Sequence, residues 1–453
     1  MLLTSLMLAA AAPAAAIPDR AAERALFEKV VEIPTVAGRT AEFRRLTTLL
    51  GAEFARAGMT SIVKDHDGTQ TLIARWRSPR PSGKKPILLM AHMDVVEAKA
   101  SDWKNPPFEF REAGGYYLGR GSADNKAALV GIVLALQGLK ASGFEPSRDI
   151  VVLFTGDEET SGNGARRAAN EWRSLIDADY ALNGDAGGGS VYADGRPQDW
   201  SMQIAEKTYA DFTFSAVNRG GHSSRPRPDN AIYALANALA ALERHRFKPM
   251  INEAVRGEAE QVAAEDKGTF GELVSKWLKD PTDRETADLI EAMSPGGTRT
   301  RCVPTMLSGG HAPNALAQKA EATVNCRIFP GVSIKATTAE LQQLAGEDVT
   351  VSLVPGSSTP ATAPTAIRPD VLAAYQAAVR TRFPGVPVIP GQSAGATDGA
   401  FLRAAGIPVY GFGGLWGIVG QSGNAHGLDE RVLVEGFHGQ VPIWREMLKR
   451  VAG

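Results

Sequence analysis

Apolar residues along this chain fall into two patterns, which change near residue 194. From about Pro18 to Ala193, short unbroken apolar runs such as Ile87-Leu88-Leu89-Met90 and Ile150-Val151-Val152-Leu153-Phe154 recur without alternation. A run apolar at every position suits a strand covered on both faces, as in an α/β sheet. Between these runs, Leu129, Val130, Ile132, Val133, Leu136 and Leu139 fall at helical spacing behind Asp124 and Asn125, two residues with the chemistry of helix caps. The spacing predicts a β-α-β crossover.

The chain breaks at Asp194-Gly195-Arg196-Pro197, and the period differs beyond it. An alternating strand is predicted over 210–216, a helix over 230–242, strands near Thr305-Met306-Leu307 and over 322–328, a helix over 336–344 and a strand over 349–354. This β-α-β-β-α-β order describes a ferredoxin-like unit, interrupted by a polar, helix-rich insertion from about Lys248 to Gly297. After Pro355-Gly356-Ser357-Ser358-Thr359-Pro360 the first pattern returns, with a buried strand at Ile407-Pro408-Val409-Tyr410 and a closing helix over 433–451. No internal repeat is present. The smaller domain, 198–356, is therefore expected to be inserted into a larger one built from 18–197 and 357–453.

The length, 453 residues, leaves room for two cores. Charges nearly balance at net -1 and no basic run is present, so nucleic acid is not an expected partner. Residues 1–17 read as a signal peptide, an apolar stretch from Met1 to Leu8 running into an Ala-x-Ala site, which places the protein in the periplasm or outside the cell. The first arginine is Arg20, so a basic n-region is missing, and an alanine-rich cytosolic extension is the alternative. No stretch approaches the ~20 apolar residues that span a bilayer. Cys302 and Cys326 are wrongly spaced for a zinc finger; a disulfide and two small buried side chains both remain open.

Candidate chemistry sits just beyond the buried strands: His92-Met93-Asp94, Asp157-Glu158-Glu159, and Asn183-Gly184-Asp185. Open α/β sheets gather ligands outside the carboxyl ends of their strands, so these side chains can converge. Asp124 joins them at the head of a helix, and His426 lies on a loop in the returning half. Two divalent cations would be neutralised by Asp124, Glu159, Asp185 and a hydroxide. Two histidines with three carboxylates suit zinc or a similar borderline ion, whereas calcium wants oxygen alone.

Taken together, these residues resemble the dizinc family of aminoacylase, glutamate carboxypeptidase, carboxypeptidase S-like enzymes and succinyl-diaminopimelate desuccinylase. The resemblance spans nearly the whole chain after residue 17. It rests on His92-x-Asp94, Trp103 to Phe108 leading into Gly119-Arg120-Gly121 and Asp124-x-Lys126, Asp157-Glu158-Glu159, Gly221-His222-Ser223-Ser224-Arg225-Pro226, Arg327 before Phe329-Pro330-Gly331, Thr397-Asp398, and Ala425-His426-Gly427 with Glu430. It implies an α/β zinc-hydrolase catalytic domain with an inserted ferredoxin-like α+β lid, which in related proteins also forms dimers.

The resemblance implies that His92 and Asp185 hold one zinc, Glu159 and His426 the other, and Asp124 both, with cobalt or manganese as substitutes. Asp94 would orient His92, and Glu158 would take a proton from the attacking water and pass it to the leaving amine. His222 would stabilise the oxyanion, from the partner subunit in related dimers, and Arg327 with Asn314 would bind the substrate's free carboxylate. Two departures stand out: Ala315-Leu316 follows Asn314 where Ile/Val-Pro is usual, and Asn125 stands where Met or Asp is usual. The implied reaction is hydrolysis of an amide bond beside a free α-carboxylate, in a small peptide or an N-acyl amino acid. The stretches Asp157 to Ala165 and Gly221 to Pro226 look most like the carboxypeptidase S-like branch. A binder without catalysis is the rival reading, opposed by the retention of Glu158. His66, His245 and His438 are expected at the surface, His311 is unassigned, and Asp398 is expected to support Thr397 or to cap a turn.

Overall fold

The computed structural model describes residues 19–453, so the expected leader lies outside the described residues. Among the described residues the larger unit is built on a ten-stranded sheet. Its centre runs Ile150–Thr155, Ile87–His92, Tyr180–Asn183 and Val409–Phe412, paired in parallel. Both apolar runs are strands buried at every residue. The pleat explains the missing alternation. Leu89 and Ala91 enter one core beside the helix Lys126–Ala141, while Leu88 and Met90 enter a second with Ala165, Ala168 and Leu402.

The helix Lys126–Ala141 is buried on nearly every side because the closing helix Val434–Ala452 packs along it. A Cβ at Gly131 would collide with Gln440, so the close approach requires glycine there. The expected caps do not cap. Asn125 occupies the N-cap position without a side-chain hydrogen bond to the helix, and its amide reaches Asp185 instead. Asp124 turns toward His92.

The smaller unit is an antiparallel sheet in the order Arg301–Gly309, Lys319–Ile328, Thr208–Val217 and Thr350–Ser358. The helices Ala231–Arg244 and Ile334–Ala345 share a core with it, completing the ferredoxin-like arrangement. The alternation of Thr208–Val217 is strict, buried on the helix side and half-exposed on the other. Asn230 caps the first helix by accepting from the Ile232 amide.

Both crossings differ from the expected boundaries. Tyr192 to Arg196 is a hairpin turn, and the strand after it, Pro197–Glu206, still belongs to the large sheet, so the chain leaves that sheet after Glu206. Gly356 lies inside the strand Thr350–Ser358, so the return comes after Ser358. Turn residues marked a hairpin tip rather than a domain boundary.

The insertion folds into the helices Glu253–Glu265, Thr269–Lys279 and Arg284–Met293 around Val274, Trp277, Ile290 and Phe329. Its first helix lies against the strand Val388–Ser393 of the large sheet. Asn252 donates to Gln392 Oε1 at 2.7 Å, and Glu258 Oε1 accepts the Gln392 amide at 2.7 Å. The insertion thus bridges the two units. Cys302 and Cys326, opposed in register on adjacent strands, form a disulfide.

Two histidines expected at the surface are buried. His66 Nε2 lies 2.8 Å from Thr71 Oγ1, and His438 sits between Glu23 Oε2, at 2.5 Å, and the Tyr117 hydroxyl, at 2.9 Å. Their polar sequence neighbours concealed partners supplied from distant segments. His245 is half-buried against Glu340, and His311 is exposed.

Candidate metal centre

Strand ends position three of the groups: His92 closes Ile87–His92, Glu158 and Glu159 follow Ile150–Thr155, and Asp185 follows Tyr180–Asn183. His92 Nε2 stands 2.9 Å from Asp124 Oδ1 and 3.4 Å from Asp185 Oδ1. His426 Nε2 stands 2.8 Å from Glu159 Oε2 and 3.4 Å from Asp124 Oδ2. One oxygen of Asp124 therefore faces each histidine. His92, Asp124 and Asp185 form one group able to hold a cation, and Asp124, Glu159 and His426 form another.

The supporting side chains are as ordered as the donors. His92 Nδ1 lies 3.0 Å from the Asp94 carbonyl and 3.5 Å from Asp94 Oδ1, which leaves Nε2 facing the carboxylates. The Asp94 carboxylate also accepts the amides of Glu158 and Glu159 at 3.1 and 3.0 Å, so it fixes the loop that carries both. Glu430, fully buried, accepts from Arg120 Nη1 at 2.7 Å and from the amides of Gly121, Ala123 and Asp124 at 2.8, 2.8 and 2.9 Å. Arg120 Nη2 reaches the carbonyl of Gly427 at 3.1 Å, while the Trp103 ring covers the guanidinium. Two loops distant in sequence, one bearing Asp124 and one bearing His426, are thereby tied together. Asn424, His426 and Asp429 all adopt left-handed φ without being glycine, a strain that the surrounding contacts hold in place.

Crowded charges set the protonation of the metal-free site. Burial disfavours charge on His92, but Asp185, Asp124 and Asp94 hold it well above its ordinary range. Hydrogen bonds to Asp124 and Glu159 raise His426 to about 10. Burial opposes ionisation of Asp124, yet His426 and His92 keep it below the usual carboxylate range. Glu158 is pushed well above that range, first by burial and then by Asp185, Asp398 and Asp94.

His222, Asn314 and Arg327 do not join this cluster; no hydrogen bond or ion pair links them to it among the described residues. His222 and Ala315 are register partners on a short ribbon, and Ser223 donates to the Asn314 carbonyl, so Asn314 lies beside His222. Arg327 is opposite Tyr209, at the other end of the sheet, with its guanidinium 4.8 Å from that ring. The expected pairing of Asn314 with Arg327 therefore does not occur within one chain. Asp398 neither supports Thr397 nor caps: its carboxylate is buried against the Thr155 hydroxyl, while Thr397 bonds Glu206 and Asn183. The sequence reading missed the tie made by Glu430 and Arg120, because a Glu on a polar loop reads as solvated.

Histidines and carboxylates converging at the carboxyl ends of parallel strands, with a further glutamate beside them, define a metal-dependent hydrolase. The chain belongs to peptidase family M20/M25/M40, whose model matches residues 88–450. It is 26% identical over 449 residues to an N-fatty-acyl-amino acid synthase/hydrolase PM20D1.1 of Danio rerio, covering 93% of this chain and 84% of that protein. It is 27% identical over 395 residues to a probable carboxypeptidase S-like 2 of Dictyostelium discoideum, covering 84% and 74%. The fold is similar to that of an M20 family metallo-carboxypeptidase from Sulfolobus solfataricus, with a TM-score of 0.70 at 19% identity over 94% of this chain and 98% of that one. It is also similar to a dinuclear metal binding peptidase of Bacillus subtilis, with a TM-score of 0.61 at 13% identity over 96% and 99%.

Proposed function

We propose that this chain hydrolyses an amide or peptide bond beside a free α-carboxylate and releases a C-terminal amino acid, as a carboxypeptidase or dipeptidase. The observation that carries this reading is Asp124, which places one oxygen toward each of two donor groups, with Glu158 in the adjoining loop. His92 and Asp185 would hold one cation, Glu159 and His426 the other, and Asp124 both. The donors are imidazole nitrogens and carboxylate oxygens, a set that fits zinc and also cobalt or manganese. When bound, such a pair polarises the scissile carbonyl and makes water a nucleophile at neutral pH.

Glu158 accepts the proton of the attacking water on its carboxylate and returns it to the leaving nitrogen. Arg327 has no carboxylate partner among the described ion pairs, and its fork is free to take the substrate's α-carboxylate. His222 and Asn314 act from a second copy of the chain. The edge strand Arg301–Gly309 supports such a homodimer, since Met306 and Leu307 are 69% and 71% exposed there and Tyr233 on the neighbouring helix is 64% exposed. A periplasmic or secreted location is proposed from residues 1–17 and from the Cys302–Cys326 bond.

N-acyl amino acids are the second reading, supported by the relatives named for N-fatty-acyl-amino acid hydrolysis. A hydrolysis screen of dipeptides and N-acyl amino acids, each as free acid and C-terminal amide, with zinc, cobalt and manganese, tests both. Faster cleavage of the free acids is expected. Cleavage of neither class under any of the three metals rejects the reading.

A further inference from the structure

The strand Tyr180–Asn183 makes its last bond to the neighbouring strand just past its end, where the Gly184 amide donates to the Met90 carbonyl at 2.8 Å. Asp185 stands one residue further on, outside the ladder, and needs other partners. Its amide donates to Asn183 Oδ1 at 3.1 Å, and its carboxylate Oδ1 accepts from Asn125 Nδ2 at 2.6 Å. Asp185 is therefore fixed from two sides, one of which depends on how the Asn183 side chain is held.

Asn183 is buried, and its Nδ2 donates to Thr397 Oγ1 at 3.1 Å. The Gly399 amide donates to the same hydroxyl, also at 3.1 Å. Two N–H donors occupy both lone pairs of a hydroxyl that has one proton to give, so that proton goes to Glu206 Oε2, 2.8 Å away. The Thr397 amide donates to that oxygen too, at 2.9 Å. Every bond in the line from Asp185 to Glu206 thus runs in one direction, and a carboxylate terminates it.

Glu206 is itself held. Its Oε1 accepts from Arg403 Nη1 at 2.5 Å, in an ion pair whose two side chains are both buried. The guanidinium also donates to Gln203 Oε1 and Thr365 Oγ1, each at 3.1 Å. Breaking such a pair leaves an uncompensated buried charge, so the carboxylate stays where Arg403 puts it. Glu206 closes the strand Pro197–Glu206, and the strand Thr208–Val217 of the smaller unit starts two residues later. The line from Asp185 therefore ends where the chain leaves the large sheet.

We propose that Glu206 is a positioning residue for the cation that His92 and Asp185 hold, and that it acts on Asp185 through Thr397 and Asn183. The proposal rests on the assignment of those two residues as donors. Among the described residues, Glu206, Thr397 and Asn183 make no hydrogen bond or ion pair with Glu159 or His426, so their effect is confined to one of the two cations.

The test is equilibrium dialysis of the full chain against cobalt(II), which gives the number of cations bound and the affinity of each, with urea unfolding of the metal-free protein as a separate measure of the fold. Thr397→Val keeps the shape of the side chain and removes the hydroxyl. It is expected to weaken one of the two cations about 10–100-fold, the usual effect of removing a group that orients a ligand, and Thr397→Ser, which returns the hydroxyl, is expected to restore it. Beside His426→Ala the same valine is expected to weaken the cation that remains, and beside Asp185→Asn to leave it unchanged. Glu206→Gln combined with Thr397→Val is expected to cost no more affinity than the greater of the two alone, since both cut one line. Equal weakening of both cations, weakening of neither, failure of Thr397→Ser to restore the affinity, or additive losses in the double variant overturns the proposal. Should either single variant fail to fold, the other decides alone, because each is expected to weaken the same cation. An Asp185→Asn protein that still binds two cations with wild-type affinity rejects the donor assignment and this inference with it. If Asp185→Asn loses a cation and Thr397→Val binds both as the wild type does, this inference alone is rejected.

Discussion

Arg327 and His222 stand at opposite ends of one sheet, the first opposite Tyr209 and the second just beyond Val217. Val217 lies eight residue steps along the strand from Tyr209, about 26 Å at the rise of an extended chain. One chain cannot readily bring both to one substrate. Mixing inactive His222→Ala and Glu158→Gln proteins is therefore expected to restore activity, because the mixed dimer holds one complete site. His222→Ala alone is expected to lose about 10²–10³ in kcat, as for other oxyanion donors. No recovery on mixing, with subunit exchange verified, would place His222 in cis or outside the mechanism.

Glu158→Gln keeps the size of the side chain and removes its basicity. Turnover is expected to fall by about 10²–10⁴, the range of general acid–base catalysis, with metal content by atomic absorption unchanged. Wild-type turnover in this variant would remove Glu158 from the proton transfer.

Metal uptake is expected to release protons. In the metal-free site His426 is held near 10 and His92 well above its ordinary range, so both are cationic at neutral pH and must lose a proton to bind. Affinity for zinc should rise between pH 6 and 8, and calorimetry in buffers of different ionisation enthalpy counts the protons. The metal-free fold has the opposite dependence. Its stabilisation by these ion pairs is complete below the ordinary histidine value and fades as pH climbs through about 10. Affinity independent of pH would contradict the assignment.

Glu430→Gln removes charge from the carboxylate that ties the Asp124 loop to the His426 loop. Metal affinity is expected to drop about 10–100-fold, as for other residues that orient ligands. Equilibrium dialysis against a competing chelator measures it, and an unaltered affinity would show that the loops hold themselves.

Glu258 is raised to about 7 by burial between the insertion and the large sheet, with only the Gln392 amide opposing. Its folded value lies above its unfolded one, so the folded state holds the extra proton between about 4.5 and 7 and stability falls across that window. Glu258→Gln should raise stability to urea at pH 8 by about 1–3 kcal/mol and change little at pH 4.5. A uniform effect at both values would exclude this titration.

Much of the centre was legible in sequence because each group follows a strand whose unbroken apolar run marks it as buried on both sides. His92, Glu159 and Asp185 are of that kind. Asp124, expected both at the head of a helix and among the donors, turns to His92, and Asn125 gives its amide to Asp185 instead of capping, since capping and side-chain pairing call on the same short polar groups. The ties made by Glu430, and the burial of His66 and His438, depend on partners far away in sequence, where periodicity carries no signal. Boundaries failed for a related reason: Gly195 and Gly356 mark bends in the backbone, and a bend inside a sheet looks like a bend between domains.

The tie at Glu430 also fixes when the centre can exist. Its members are drawn from residues 92 to 430, so synthesis must pass residue 430 before the two loops can meet. The parallel strands bearing His92, Glu159 and Asp185 can assemble earlier, as an acidic half-site that waits for His426. Biosynthesis therefore separates folding of the frame from closure of the metal centre, and chains released early would carry donors for one cation and not for two.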